Sequence, residues 1–228
     1  VFPWYFNYKP TAANKMQLQE AQILVNILLV PAGDARNQGR SLEHQFESSV
    51  TLSYVQSLKA AIEKKYPDVH VIISHKVGEV IRPYQIPTMA NTLGVDLVLT
   101  INCYHEQGPK PEWYIYQFSY GEDFISKLYD LSWYTVDSAY LFSKNTTAVW
   151  AALLAHELSA DSYRALFTVR GPYKLPVAPL LGIKVPALSM EISLKQDEDW
   201  ASFVEPLAMS LDPIVRPLIT QRSAVEAV

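Results

Sequence analysis

The chain is short of the features that most often announce a function. Its 228 residues include one cysteine, Cys103, which leaves no internal disulfide framework and no paired-cysteine metal knuckle. It has no block of lysine and arginine and a formal charge of −4. That combination argues against a nucleic-acid partner held by phosphate neutralisation and against a basic membrane-surface patch. No apolar run reaches the roughly 18 residues that span a bilayer, so no transmembrane segment is expected. The first residues, VFPWYFNYKP, have neither the basic start nor the long apolar centre of a signal peptide. There is no internal repeat, no low-complexity segment and no G-x-S-x-G elbow. In AHELSAD (155–161) the histidine is not followed by a second one four residues later, so it is not a zincin motif.

Charged residues are equally sparse, at 18% against 49% hydrophobic, a balance that can bury one sizeable core. QILVNILLV (22–30) is a continuous apolar run before Pro31 and a turn-rich loop, and reads as a buried strand. Phe46, Val50, Tyr54, Leu58 and Ile62 then step by four, an amphipathic helix closing at Lys64 and Lys65 before Pro67. Further strands are expected at 69–75, 95–104 and 112–120, the last rich in aromatics and read as an edge or half-exposed strand. A short helix is expected at 87–93 and a long one at 147–167. APLLGIKV (178–185) and PALSMEIS (186–193) read as the last strands, and a helix from Trp200 to Leu218 is broken by Pro213 and Pro217.

This order predicts an α/β fold, a single domain with a largely parallel mixed sheet and helices on both faces. The domain is expected over 22–218, with an N-terminal extension at 1–21 and a C-terminal tail at 219–228. An insertion is expected at 121–145, which carries Tyr129, Trp133 and Tyr134 and offers a surface for a protein partner.

Ligands of such sheets bind beyond the carboxyl ends of the strands. That rule gathers Gly33, Asp34 and Arg36 after the first strand, His44 and Glu47 at the helix start, Asn102, Cys103, Tyr104 and His105 on the third strand, and Glu191 on the last. Glu191 is the one charge in PALSMEIS, and a carboxylate in so apolar a stretch needs a partner or a task. Without a task it would anchor backbone N–H groups or an arginine such as Arg170. Cys103 has no activating base by sequence and reads as an inert buried thiol. His70, His75 and His156 lack ligand-like partners. Asp197 and Asp199 are candidates for the cap of the final helix.

Four ordered segments resemble the zinc-dependent N-acetylmuramoyl-L-alanine amidases of the cell-wall type. ILLVPAGDARNQGR is similar to the family's first strand and metal-binding loop. FESSVTLSYVQSLKAAIEKKYP is similar to the helix opening with a metal-binding glutamate. IPTMANTLGVDLVLTINCY resembles the strand ending in a second metal-binding histidine, and RGPYKLPVAPLLGIKVPALSMEIS the strand with the catalytic glutamate.

The resemblance implies an amidase-like fold, a bacterial cell envelope location, periplasmic or extracellular, and peptidoglycan or a muropeptide as ligand. It also implies Glu191 in the catalytic position and Glu47 as a metal ligand. The first histidine ligand has no counterpart, since its place falls on Gly33 or Asp34, and Asn102 stands for the second. Asp34, Glu47 and Asn102 would offer oxygen only, a poor set for zinc. Without a metal, water keeps its pKa of about 15.7 and Glu191 has no nucleophile to activate.

The favoured expectation is therefore a degenerate amidase-like pseudoenzyme that binds peptidoglycan or regulates, with no cofactor. One alternative is an active hydrolase with zinc in a shifted site formed by His44, Glu47 and His105. Another is an assembly domain using the fold as a scaffold.

Overall fold

The computed structural model describes residues 24–82, 84–120 and 135–226. The expected extension at 1–21 and most of the insertion, with Tyr129, Trp133 and Tyr134, lie outside them. The apolar run before Pro31 forms β1 (Val25–Pro31). After the turn-rich loop comes α1 (Glu47–Lys65), with Glu47 in its first turn and Lys64 and Lys65 in its last, charges that complement the helix dipole. Then follow β2 (Val69–Ile73), α2 (Gln85–Thr92), β3 (Leu97–His105) and β4 (Glu112–Phe118), a 3-10 turn over Val136–Phe142, and α3 (Lys144–Leu158). The chain closes with β5 (Thr168–Leu175), β6 (Ala187–Leu194), a 3-10 turn over Asp199–Phe203, α4 (Val204–Ser210) and α5 (Asp212–Glu226).

The strands form one six-stranded sheet in the order β2-β1-β3-β6-β4-β5. Only the β4–β6 pair is antiparallel, so the largely parallel mixed sheet is present as expected. One face is covered by α1, α3, α4 and α5 over a core that includes Ile27, Leu99, Trp113, Leu154, Met190 and Ile214. The other face is covered over only part of its area, by α2 and the two segments around Tyr140 and Leu180, which pack on Leu28, Val98 and Ala187.

Three expectations are corrected, while β4 is half-exposed as expected: its residues alternate between partly exposed and buried, and it lies inside the sheet between β6 and β5. The edge is β5, over residues assigned to no element above; it contains Gly171 and Pro172, and proline is tolerated where no neighbour needs its N–H. A Cβ at Gly171, φ +97°, would meet the Ile115 carbonyl at 2.6 Å, so glycine permits the close approach to β4. APLLGIKV holds a 3-10 turn (Ala178–Leu180) rather than a strand. The helix expected to reach 167 stops at Leu158, where the Ser159 hydroxyl bonds back to the Ala155 carbonyl at 2.7 Å and the following Asp161 and Ser162 disfavour helix. The last helix accommodates Pro217 inside α5 and continues to Glu226.

Candidate functional site

The apolar stretch around Glu191 resolves into two faces. Leu188, Met190, Ile192 and Leu194 enter the main core, while Ser189, Glu191 and Ser193 alternate to the other side, as strand geometry requires. On that face the register sets Asn102, Glu191, Tyr114 and Arg170 in one row across β3, β6, β4 and β5. Thr100, Ser189, Tyr116 and Tyr173 form the next row. The expected convergence of β3 and β6 at Asn102 and Glu191 is therefore present.

Both oxygens of Glu191 are engaged. Arg40 Nη2 lies 2.6 Å from Oε1, with the side chains 50% and 24% exposed for Arg40 and Glu191. The Tyr116 hydroxyl donates to Oε2 at 3.1 Å. The partner is thus Arg40, not Arg170, which pairs instead with Glu112 at 2.8 Å. The Arg40 guanidinium also lies 5.7 Å from the centre of the Tyr104 ring, within cation–π range. Burial opposes its charge, yet the bond to Glu191 and the charges of Glu191 and Glu47 raise its pKa above the ordinary arginine value. Burial, followed by the Glu191 charge and hydrogen bond, pushes the Tyr116 phenol up to about 12, so it stays a donor at neutral pH.

The other carboxylates of the crevice are turned to the backbone. Glu47, 5% exposed, accepts the Cys103 N–H on Oε1 at 2.9 Å and the Arg40 N–H on Oε2 at 3.0 Å. Gly39 lets the loop close over it: φ is +75°, and a Cβ there would lie 2.7 Å from Glu47 Oε2. Asp34 is buried and accepts the Arg36 and Asn37 N–H groups on one oxygen and the Ile81 N–H on the other. The bonds from Asn37 and Ile81 lead in holding its pKa below the usual carboxylate value. Asn102 directs its amide nitrogen to the Ser189 hydroxyl and the Met190 carbonyl, at 3.2 and 3.1 Å.

The histidines are dispersed. The His44 side chain is 77% exposed and comes no nearer than 3.9 Å to Glu43. Its backbone is held by Asp197, which accepts the Glu43 and His44 N–H groups at 2.9 and 2.8 Å. Asp197 thereby ties this loop to the end of β6 instead of capping a helix. Asp199 accepts the Lys195 and Gln196 N–H groups. His105 has Nε2 beside Gln107 at 3.2 Å and a buried Nδ1 without a partner among the described residues. Cys103 is fully buried, and burial pushes its thiol well above the ordinary cysteine range, as expected of an inert thiol.

Zinc, the metal implied by the amidase resemblance, does not fit these residues. Asp34, Glu47 and Asn102 supply no imidazole, both oxygens of each carboxylate already accept backbone N–H groups, and a guanidinium already stands beside Glu191. Among the described residues, no group of three His, Cys, Asp or Glu side chains is arranged to hold a metal ion.

Beside the row lies an open cleft of about 550 Å³ at the carboxyl ends of β1 and β3. Val30, Pro31, Ile81 and Leu181 make its walls apolar, and Asn37, His75, Arg82 and Asn102 offer polar groups. Tyr84 stands at the cleft with φ +60°, a strained conformation for a side chain of its size. Asn102 belongs to both the cleft and the Glu191 row.

His75 is buried and its ring bonds the Ser74 hydroxyl at 2.8 Å. Burial holds its pKa below 6.5, against the opposing Gly33 backbone bond and Asp34 charge. The unfolded chain therefore takes up this proton first, and stability should fall as pH drops below about 6.5. Asp34 adds nothing there, because its lowered pKa costs stability only below its ordinary value of 3.8. Urea midpoints between about pH 7.5 and 5.5 should show this slope, and His75→Gln should flatten it.

No protein-family profile matches the chain, and no curated protein sequence does. Solved structures do. Ami1 of Mycobacterium smegmatis, an N-acetylmuramyl-L-alanine amidase, superposes with a TM-score of 0.57 at 12% identity, over 84% of this chain and 96% of that one. The N-acetylmuramoyl-L-alanine amidase AmiC2 of Nostoc punctiforme gives 0.56 at 12% identity, over 86% and 97%. The CwlD amidase of Clostridioides difficile, solved in complex with the GerS lipoprotein, gives 0.55 at 11% identity, over 88% and 99%. The chain therefore has the fold of these amidases over most of its described length.

Proposed function

We propose that this chain is a peptidoglycan-binding or regulatory module of the bacterial cell envelope, built on the amidase fold and without zinc hydrolysis. The observation that carries the reading is the Arg40–Glu191 pair at 2.6 Å. In zinc hydrolysis the general base acts on a water that the metal has acidified. Arg40 puts a permanent positive charge beside Glu191 but, unlike a metal, has no coordination position for water and no proton to exchange at neutral pH. Glu191 thus helps hold the 33–40 loop on the sheet. The cleft at Asn102, apolar with a few polar groups, has the make-up of a small-ligand site and would receive part of a muropeptide.

A shifted site at His44, Glu47 and His105 gains no support, because Glu47 is closed over by its loop and His44 faces solvent. The assembly alternative draws only on CwlD having been solved with a lipoprotein.

The test combines cosedimentation with purified peptidoglycan sacculi and an assay for amide cleavage with zinc added. Retention on sacculi without cleavage is expected. Cleavage that disappears in Glu191→Gln would return the chain to the hydrolases.

A further inference from the structure

The exposed part of the second sheet face carries a ladder of tyrosines. The rings of Tyr114 and Tyr116 are 6.3 Å apart and within 8° of parallel. Tyr173, on the edge strand and 43% exposed, completes a triangle with them at 6.4 and 6.0 Å. The core does not require these rings, since the same strand buries Trp113 and Ile115 on its other face. They keep the phenols as hydrogen-bonding rims: Tyr114 donates to Glu112 and Tyr116 to Glu191.

We infer that this tyrosine face is a glycan platform, on which the sugar chain of the ligand lies while the Asn102 cleft takes the remainder. The inference rests on the peptidoglycan-binding reading and names its subsite. Two observations select a sugar. The carboxylates within the ladder are each matched by a guanidinium, Glu112 by Arg170 and Glu191 by Arg40, so the face favours a neutral ligand over a polycation or polyanion. The rings of Tyr114 and Tyr116 are near-parallel, Tyr173 is inclined to them by 28° and 36°, and the three are rimmed by hydroxyls, carboxylates and guanidinium N–H groups. Such a surface suits a pyranose, whose axial C–H bonds meet the negative ring face and whose equatorial hydroxyls reach the rim. Tyr116 bonds to Glu191, in register with Asn102, and Asn102 lines the cleft, so platform and cleft are neighbours across β6 and β3.

The experiment compares wild type, Tyr173→Ala and Tyr114→Ala for binding to peptide-free β-1,4-linked N-acetylglucosamine oligomers, to the free stem peptide and to sacculi. Circular dichroism verifies the fold of each variant. The oligomer should bind the wild type and lose about tenfold in affinity, roughly 1.4 kcal/mol, in each tyrosine variant, with stem-peptide binding unchanged. Sacculi retained equally by all three proteins, with no oligomer binding, would overturn the platform and leave the peptidoglycan reading standing. A wild type that binds none of the three would overturn both.

Discussion

Glu47→Ala should destabilise the fold by roughly 2–6 kcal/mol, because it strips the acceptor from two buried or part-buried backbone donors, each worth about 1–3 kcal/mol when left unpaired. The reason lies in strand lengths. β1 ends at Pro31, while β3 runs on to His105. Beyond that end the Cys103 N–H has no sheet partner, and Glu47 Oε1 takes it. The second oxygen holds the Arg40 N–H, so one carboxylate joins α1, β3 and the 33–40 loop. Glu47→Gln should lie between alanine and wild type, since it keeps one carbonyl oxygen and turns an amide donor toward the other N–H. Glu191→Gln, partly exposed and bonded only to side chains, should cost far less. Urea unfolding of the three variants measures the contrast. A Glu47→Ala protein as stable as wild type would show that the carboxylate is not the structural tie described above.

Trp113→Ala should cost about 3–5 kcal/mol, the range for removing a buried large aromatic. Trp113 is fully buried, stacked on Phe167 at 4.3 Å and edge-on to Phe203 at 5.3 Å. It clamps β4 to the segments before β5 and α4. Its indole N–H is buried without a partner among the described residues, so Trp113→Phe removes an unsatisfied donor together with packing volume. The two effects oppose each other, and the phenylalanine variant should lose less than half as much as alanine. Thermal or urea unfolding decides it; equal losses in both variants would mean that an aromatic ring at 113 contributes nothing to the packing between Phe167 and Phe203.

Much of this architecture was legible because burial writes itself as period. The continuous run before Pro31 and the four-residue step from Phe46 to Ile62 gave β1 and α1 within a few residues, and the order of elements gave the sheet class. β5 was hidden because Gly171 and Pro172 are turn signals that an edge strand tolerates. The site was legible in part. Glu191 drew notice as a lone charge, but PALSMEIS was read as one apolar run, although its polar residues alternate with period two. Arg40 was missed for a different reason. It sits in a loop without periodicity, and its partner is distant in sequence, so only the fold brings guanidinium and carboxylate together.

We propose that the cation beside Glu191 is an arginine and not a metal ion. This is tested most directly by elemental analysis of the purified protein before and after dialysis against zinc, with His44→Ala and Arg40→Ala alongside. Zinc at background in the wild type, before and after dialysis, is the predicted result. Stoichiometric zinc in the wild type that is lost in His44→Ala would contradict the account and make the chain a metalloprotein with a displaced site.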